Sequence, residues 1–170
     1  MTILAQQRRS PLSTPTDLGH NASMAIARGM NAILADVYAL YLKTRNFRWH
    51  MSAPHFRDYD VLLDEQVDAL YALTGPIAER IRNTSGAAPW RIGNFSRLQR
   101  VGNNNAEYVD PLDMLVELRE DNQKLAARLR KVHDLIAKQR DIETASVMES
   151  WIDDAERRSW LLFESSRNVD

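Results

Sequence analysis

An acidic row lies early in the chain, where Asp60, Asp64 and Asp68 recur at four-residue steps. In a helix this spacing places the three carboxylates on one face. Carboxylates bind hard divalent cations, but a row of acidic residues is also typical of a solvated helix face. The spacing alone leaves both interpretations open.

The histidines add few further ligands, because only His50 and His55 lie close together in the sequence. With Asp58 they could form a transition-metal site, or they could be surface or interface histidines. The chain contains no Glu-x-x-His, the i, i+3 pair that holds two iron ions inside a single four-helix bundle. Any metal site is therefore expected to be built in another way.

The composition excludes several classes of function. The chain has 170 residues, with 22 basic and 23 acidic residues and a net charge of −1, which argues against a broadly basic surface that coats nucleic acid. The absence of cysteine excludes disulfides, thiol catalysis and zinc–thiolate sites. No apolar run reaches the ~18 residues of a membrane span, and the first residues lack the apolar stretch of a secretory signal. We therefore expect a cytoplasmic protein with no membrane partner.

Apolar residues recur at three- and four-residue steps in four segments, which predicts an all-α chain. The predicted helices span about 20–48, about 55–83, a third segment opened by Asp110-Pro111, and about 142–166. Short connections join the first helix to the second and the third to the fourth. A long crossover, roughly 84–110, separates the pairs and is expected to carry a short helix near 96–100. This is the ferritin-like arrangement of the four-helix bundle.

The predicted domain organisation is simple. Residues 1–19 are polar and contain two prolines, which predicts a flexible N-terminal tail. Residues 20–170 form a single ferritin-like domain that is long enough to bury a sizeable core.

Several motifs resemble the Dps family, the mini-ferritins that protect DNA in starved bacteria. They are YLKTRNFRWHMSAPHF at 41–56, Leu-Asp-Glu at 63–65, Ile-Ala-Glu-Arg at 77–80, and WIDDAERRSW at 151–160. The resemblance covers about residues 20–166. It implies a shell of twelve subunits that oxidises Fe(II), usually with peroxide, and stores the ferric product inside.

The resemblance also implies a ferroxidase site at a two-fold interface between subunits. Its ligands are a His before a Trp, a His and an Asp on the second helix, and an Asp and a Glu from the partner's second helix. In this sequence Asp64 and Glu79 match the family's ligands, and Asp60 replaces the second His by an oxygen donor. Arg48 stands at the first His position and Gly75 at the partner Asp position.

Arg48 is the replacement with the largest chemical effect, because a guanidinium stays protonated in proteins and repels Fe(II). We expect Arg48 to pair with Asp64 or Glu79 across the interface in place of a metal. Trp49 beside it is expected to anchor the interface. The proline after Gly75 is expected to kink the second helix at the vacated position. These changes predict a depleted site, so that iron binding is weak and ferroxidase activity is weak or lost.

Two further roles follow from the resemblance. The family builds acidic three-fold pores around the start of the fourth helix, where Asp141, Glu143 and Glu149 lie. Acidic residues also favour helix N-termini in any protein, so this pattern has a second explanation. Arg8 and Arg9 in the tail could bind DNA through the avidity of many copies, although the net negative charge opposes it.

Three functions remain open. The first is a homo-oligomeric shell, expected to be a dodecamer, that sequesters iron and protects DNA under stress with little ferroxidase activity. The second is a working ferroxidase that uses peroxide or oxygen. The third is a non-catalytic shell protein that binds DNA, with a nucleoid location, or that co-assembles with an active relative. Whether the chain is an enzyme is left undecided by the sequence.

Overall fold

The structure is a computed structural model that describes residues 16–84, 86–89 and 91–167. It contains five helices in these ranges and no strand: α1 His20–His50, α2 Phe56–Asn83, α3 Ile92–Leu98, α4 Pro111–Lys138 and α5 Ile142–Ser166. The predicted all-α fold is confirmed. The short crossover helix begins earlier than predicted, at Ile92. None of the helices in the described ranges has the length and apolar character that crossing a membrane requires.

The four long helices pack as two hairpins. α1 lies against α2, and α4 lies against α5, because short connections join the members of each pair. α1 also packs on α4 and on α3, whereas α2 and α5 touch least. Each long helix contributes fully buried apolar side chains to one core, among them Ile26, Met30, Leu63, Leu70, Leu118, Leu125, Met148 and Leu162. The result is a four-helix bundle with one long crossover.

Carboxylate caps define where the second hairpin begins and turns. Asp110 accepts a hydrogen bond from the backbone N–H of Leu112 at 2.9 Å, and Pro111 fills the first turn of α4. Asp141 accepts from the backbone N–H of Thr144 at 3.1 Å and from its hydroxyl at 2.6 Å. Both caps satisfy N–H groups that the helix leaves without partners.

A buried carboxylate anchors the crossover to the bundle. Asp36 on α1 is 0% exposed and accepts from the backbone N–H of Arg100 at 2.7 Å and from its Nη2 at 2.5 Å. Nη1 of Arg128 on α4 lies 3.3 Å from the same carboxylate. These contacts balance a buried negative charge and hold the crossover segment just after α3 between α1 and α4.

The proline within α2 does not end the helix, which continues through Pro76 to Asn83. Proline removes the hydrogen bond to the carbonyl one turn earlier, at Ala72. Ala72 and Gly75 are exposed, so water can bind this carbonyl. The predicted disturbance at Gly75 is therefore tolerated without a break.

Candidate metal centre

The end of α1 lies beside the first turns of α2, because only residues 51–55 connect the two helices. Arg48 consequently faces Asp60 and Asp64, which are one helical turn apart. Its Nε donates to Oδ1 of Asp60 at 2.8 Å, and its Nη1 forms an ion pair with Oδ1 of Asp64. One guanidinium therefore binds both carboxylates of the predicted metal site.

The electrostatics of this cluster favour the charged arginine. The hydrogen bond to Asp60, with the charges of Asp60 and Asp64, raises the pKa of the Arg48 guanidinium above its ordinary value. The side chains are partly exposed, from 29% for Arg48 to 48% for Asp64, so water screens the ion pairs. One positive and two negative groups leave a single uncompensated negative charge on this face.

The ion pair forms within one chain and not across a subunit interface as expected, and it includes Asp60 as well as Asp64. Glu79 lies roughly 15 residues beyond Asp64, which is about 22 Å along a helix. Within one chain Glu79 cannot reach Arg48. Glu79 and Gly75 are both exposed on α2, where only another copy of the chain could bring them to such a cluster.

A di-iron centre does not fit this set of side chains as they stand. Across the described ranges, no three His, Asp or Glu side chains come together in a way that could hold a metal ion. The oxygens of Asp60 and Asp64 that face inward already bind a permanent cation. His50 and His55 do not form a site with a carboxylate either, and Nδ1 of His50 lies 2.7 Å from the carbonyl of Asn46.

The bundle interior carries an arginine where an intra-subunit metal centre would need anionic ligands. Nε of Arg158 donates to Oδ1 of Asn122 at 2.8 Å, and Nε2 of Gln66 donates to the backbone carbonyl of Arg158 at 3.3 Å. Burial lowers the pKa of Arg158 to about 10, and the charge of Asp154 opposes this shift. Arg158 thus remains a cation at neutral pH and disfavours a second cation beside it.

Exposed aromatic side chains lie on both helices that form the Arg48 cluster. Trp49 is 63% exposed, with the guanidinium of Arg45 5.2 Å from its ring centre, and Phe56 and Tyr71 on α2 are also exposed. Large apolar side chains gathered on one face mark interaction surfaces. The role of Trp49 as an interface anchor stays a prediction.

The three predicted pore residues lie in different environments. Asp141 is buried by its role as the cap of α5, and Nη2 of Arg80 lies 3.7 Å from it, so its carboxylate is engaged inside the chain. Glu143 and Glu149 are exposed. Oε1 of Glu149 lies 3.5 Å from Nε2 of His133. The expectation that Asp141 lines a pore therefore disagrees with its burial, while Glu143 and Glu149 remain available.

His133 had no assigned role in the sequence because it is isolated there. His133 and Glu149 lie at similar sequence distances on either side of the turn at 139–141. Such residues come close together when two helices form a hairpin, so this spacing could have predicted their contact. The predicted DNA-binding residues Arg8 and Arg9 lie outside the described residues.

Comparisons with known proteins agree with the fold. The ferritin-like domain model matches residues 27–165. A low temperature-induced protein of Nostoc is 27% identical over 134 residues, which cover 78% of this chain and 75% of that protein. A DNA protection during starvation protein of Agrobacterium fabrum is 27% identical over 152 residues, covering 88% and 92%. The solved structure of DpsC from Streptomyces coelicolor has a TM-score of 0.87 at 19% identity and covers 92% of this chain and 91% of that one. The chain therefore belongs to the ferritin-like family, as its resemblance to Dps proteins predicted.

Proposed function

We propose that this protein is the subunit of a Dps-like shell, a dodecamer in the cytoplasm, that sequesters iron and protects the cell under stress with weak or lost ferroxidase activity. Membership of the ferritin-like family and similarity to a DNA protection during starvation protein support the shell and the protective role. We propose weak or lost ferroxidase activity because Arg48 binds both Asp60 and Asp64.

The chemistry of the Arg48 cluster supports a shell that binds iron but oxidises it poorly. Fe(II) oxidation at a two-iron site needs several anionic or imidazole ligands that are free to bind metal. Here two carboxylates share one guanidinium, and the imidazole positions implied by the Dps resemblance hold Arg48 and Asp60. Iron is therefore cargo for this shell, drawn toward exposed carboxylates such as Glu143 and Glu149 and not oxidised efficiently at the α2 carboxylates.

The exposed patch around Trp49 supports association with other copies or with a relative. A partner chain that supplies histidine ligands would restore an oxidation site at a mixed interface. Co-assembly with an active relative is therefore part of the proposal, whereas DNA binding through Arg8 and Arg9 depends on the tail alone.

The test compares the assembled parent protein with the variant Arg48→His/Asp60→His/Gly75→Asp, which restores the ligand types that the resemblance implies. Sedimentation and native mass spectrometry first establish that both proteins assemble equally. Fe(II) is then added with and without peroxide, and ferric absorbance is followed against a buffer blank. We expect the parent to match the blank closely and the variant to oxidise Fe(II) markedly faster.

A fast parent rate that Glu79→Ala abolishes would show a working ferroxidase and overturn the proposal. Equal slow rates in the parent and in a correctly assembled variant would show that Arg48 does not block the site. A parent protein that stays monomeric would contradict the proposal that it forms a shell.

A further inference from the structure

His133 on α4 and Glu149 on α5 face each other across the second hairpin. Nε2 of His133 lies 3.5 Å from Oε1 of Glu149, beyond the 2.7–3.2 Å of ordinary N–H···O hydrogen bonds. This nitrogen is buried and has no hydrogen-bond partner in the described part of the chain. The pair therefore lies close together without the hydrogen bond that would explain its geometry.

The separation suits two ligands of one metal ion. Zinc binds His nitrogen and carboxylate oxygen at about 2.0–2.2 Å in tetrahedral geometry, which places two ligand atoms about 3.4 Å apart. The observed 3.5 Å matches this spacing with little movement of either side chain. Because Glu149 is 70% exposed, its carboxylate can rotate to admit the ion.

A second carboxylate lies on the other side of the imidazole. Oδ1 of Asp134 is 3.8 Å from Nδ1 of His133, where its negative charge favours the tautomer that carries the proton on Nδ1. That tautomer leaves the lone pair of Nε2 directed toward Glu149. Metal-binding histidines commonly donate this N–H to a carboxylate, and the 74% exposed side chain of Asp134 can accept it after a small rotation.

We propose that His133 and Glu149 form a binding site for a divalent transition-metal ion, with Asp134 as a positioning residue. Water or a neighbouring copy of the chain completes the coordination. Imidazole and carboxylate together favour Zn²⁺, Co²⁺ or Fe²⁺ over Mg²⁺ and Ca²⁺. The site uses different residues from the Arg48 cluster and requires no ferroxidase activity. Because the protein supplies only two ligands, we expect the ion to dissociate from this site readily.

The test uses EDTA-treated, assembled protein titrated with Co²⁺, whose visible absorption reports its coordination, followed by displacement with Zn²⁺. We expect one saturable Co²⁺ site per chain in the parent. His133→Ala and Glu149→Gln should each weaken binding by more than tenfold, and Asp134→Asn by about tenfold, as for other carboxylates that orient metal-binding histidines. His50→Ala and Glu107→Gln, at an exposed glutamate of the crossover, are the matched controls and should leave the titration unchanged.

Parent protein without a saturable Co²⁺ spectrum would overturn the proposal, as would equal affinity in parent and His133→Ala. His133→Gln serves as a second variant if the alanine variant assembles poorly. Sedimentation of every variant separates this result from the shell proposal, because loss of the Co²⁺ site in intact assemblies leaves the shell in place.

Discussion

Replacing Arg48 with glutamine is expected to create a divalent-cation site at Asp60 and Asp64. In the parent, the guanidinium binds both carboxylates, with 2.8 Å between Nε and Oδ1 of Asp60. Glutamine keeps a polar side chain at this position and removes the positive charge. Both carboxylates then face solvent with no cation between them.

The size of the effect follows from charge and exposure. Two unit charges 4 Å apart repel by about 1 kcal/mol in water, so a divalent ion beside Arg48 is disfavoured by about 2 kcal/mol. The side chains of the cluster are 29% to 48% exposed, so this water value is a suitable lower limit. A difference of about 2 kcal/mol corresponds to about 30-fold in affinity. Arg48→Gln should therefore bind a divalent ion at least about 30-fold more tightly at this position.

Mn²⁺ is a suitable probe because it prefers carboxylate oxygens and its free form gives a strong paramagnetic resonance signal. Loss of this signal on titration measures binding to the parent and variant proteins. Arg45→Gln is the matched control, since Arg45 lies one turn away and contacts Tyr41 and Trp49. The gain should disappear in Arg48→Gln/Asp60→Asn/Asp64→Asn.

Equal Mn²⁺ affinity in the parent and in Arg48→Gln would refute the electrostatic argument. A gain that persists in the triple variant would place the new binding elsewhere in the protein. An equal gain in Arg45→Gln would show a general effect of net charge.

Three further predictions concern stability, measured as urea midpoints at fixed protein concentration. Asp36→Asn should lose about 1.5–3 kcal/mol, because the amide gives up the charge-assisted hydrogen bonds to Arg100, whereas Glu156→Gln in an exposed ion pair should change stability by less than about 1 kcal/mol; equal losses would contradict this contrast. Arg140 has φ 60 in the turn before α5, so Arg140→Gly should gain up to about 1 kcal/mol, and a lower midpoint would show otherwise. A Cβ on Gly86 would lie 2.7 Å from an α1 side chain, so Gly86→Ala should cost about 1–3 kcal/mol. Gly93→Ala in open space should instead be neutral or stabilising, and similar effects of both would contradict the steric argument.

The helices were predictable because their signals are local. The apolar period placed α5 at its observed bounds, and Asp110 with Pro111 marked the start of α4. The crossover between the hairpins was predicted from connection lengths alone. Its anchor at Asp36 was not predictable, because that contact joins residues far apart in the sequence.

Apolar periodicity does not distinguish the core from an assembly surface. Phe56 recurs at helical spacing with the buried Leu63 and Leu70 of α2 but is 47% exposed, at the first position of the helix. The position of an acidic residue is ambiguous in a similar way. A pore and a helix cap both place a carboxylate at the start of a helix, and only its contacts to Thr144 show that Asp141 is a cap.

The candidate site was predictable in its residue types and not in its contacts. The sequence places a cation and two carboxylates at positions 48, 60 and 64. Which carboxylates the arginine binds depends on how closely α2 folds back on α1, and this is set by the five-residue connection.

The guanidinium between α1 and α2 is a counter-ion that the chain carries with it. A bound metal leaves when a chelator removes it or when the cell is starved of iron, but Arg48 is covalently attached. The charge on this face is therefore set at synthesis and is the same in iron-poor and iron-rich conditions. A newly made chain carries this charge before any metal arrives.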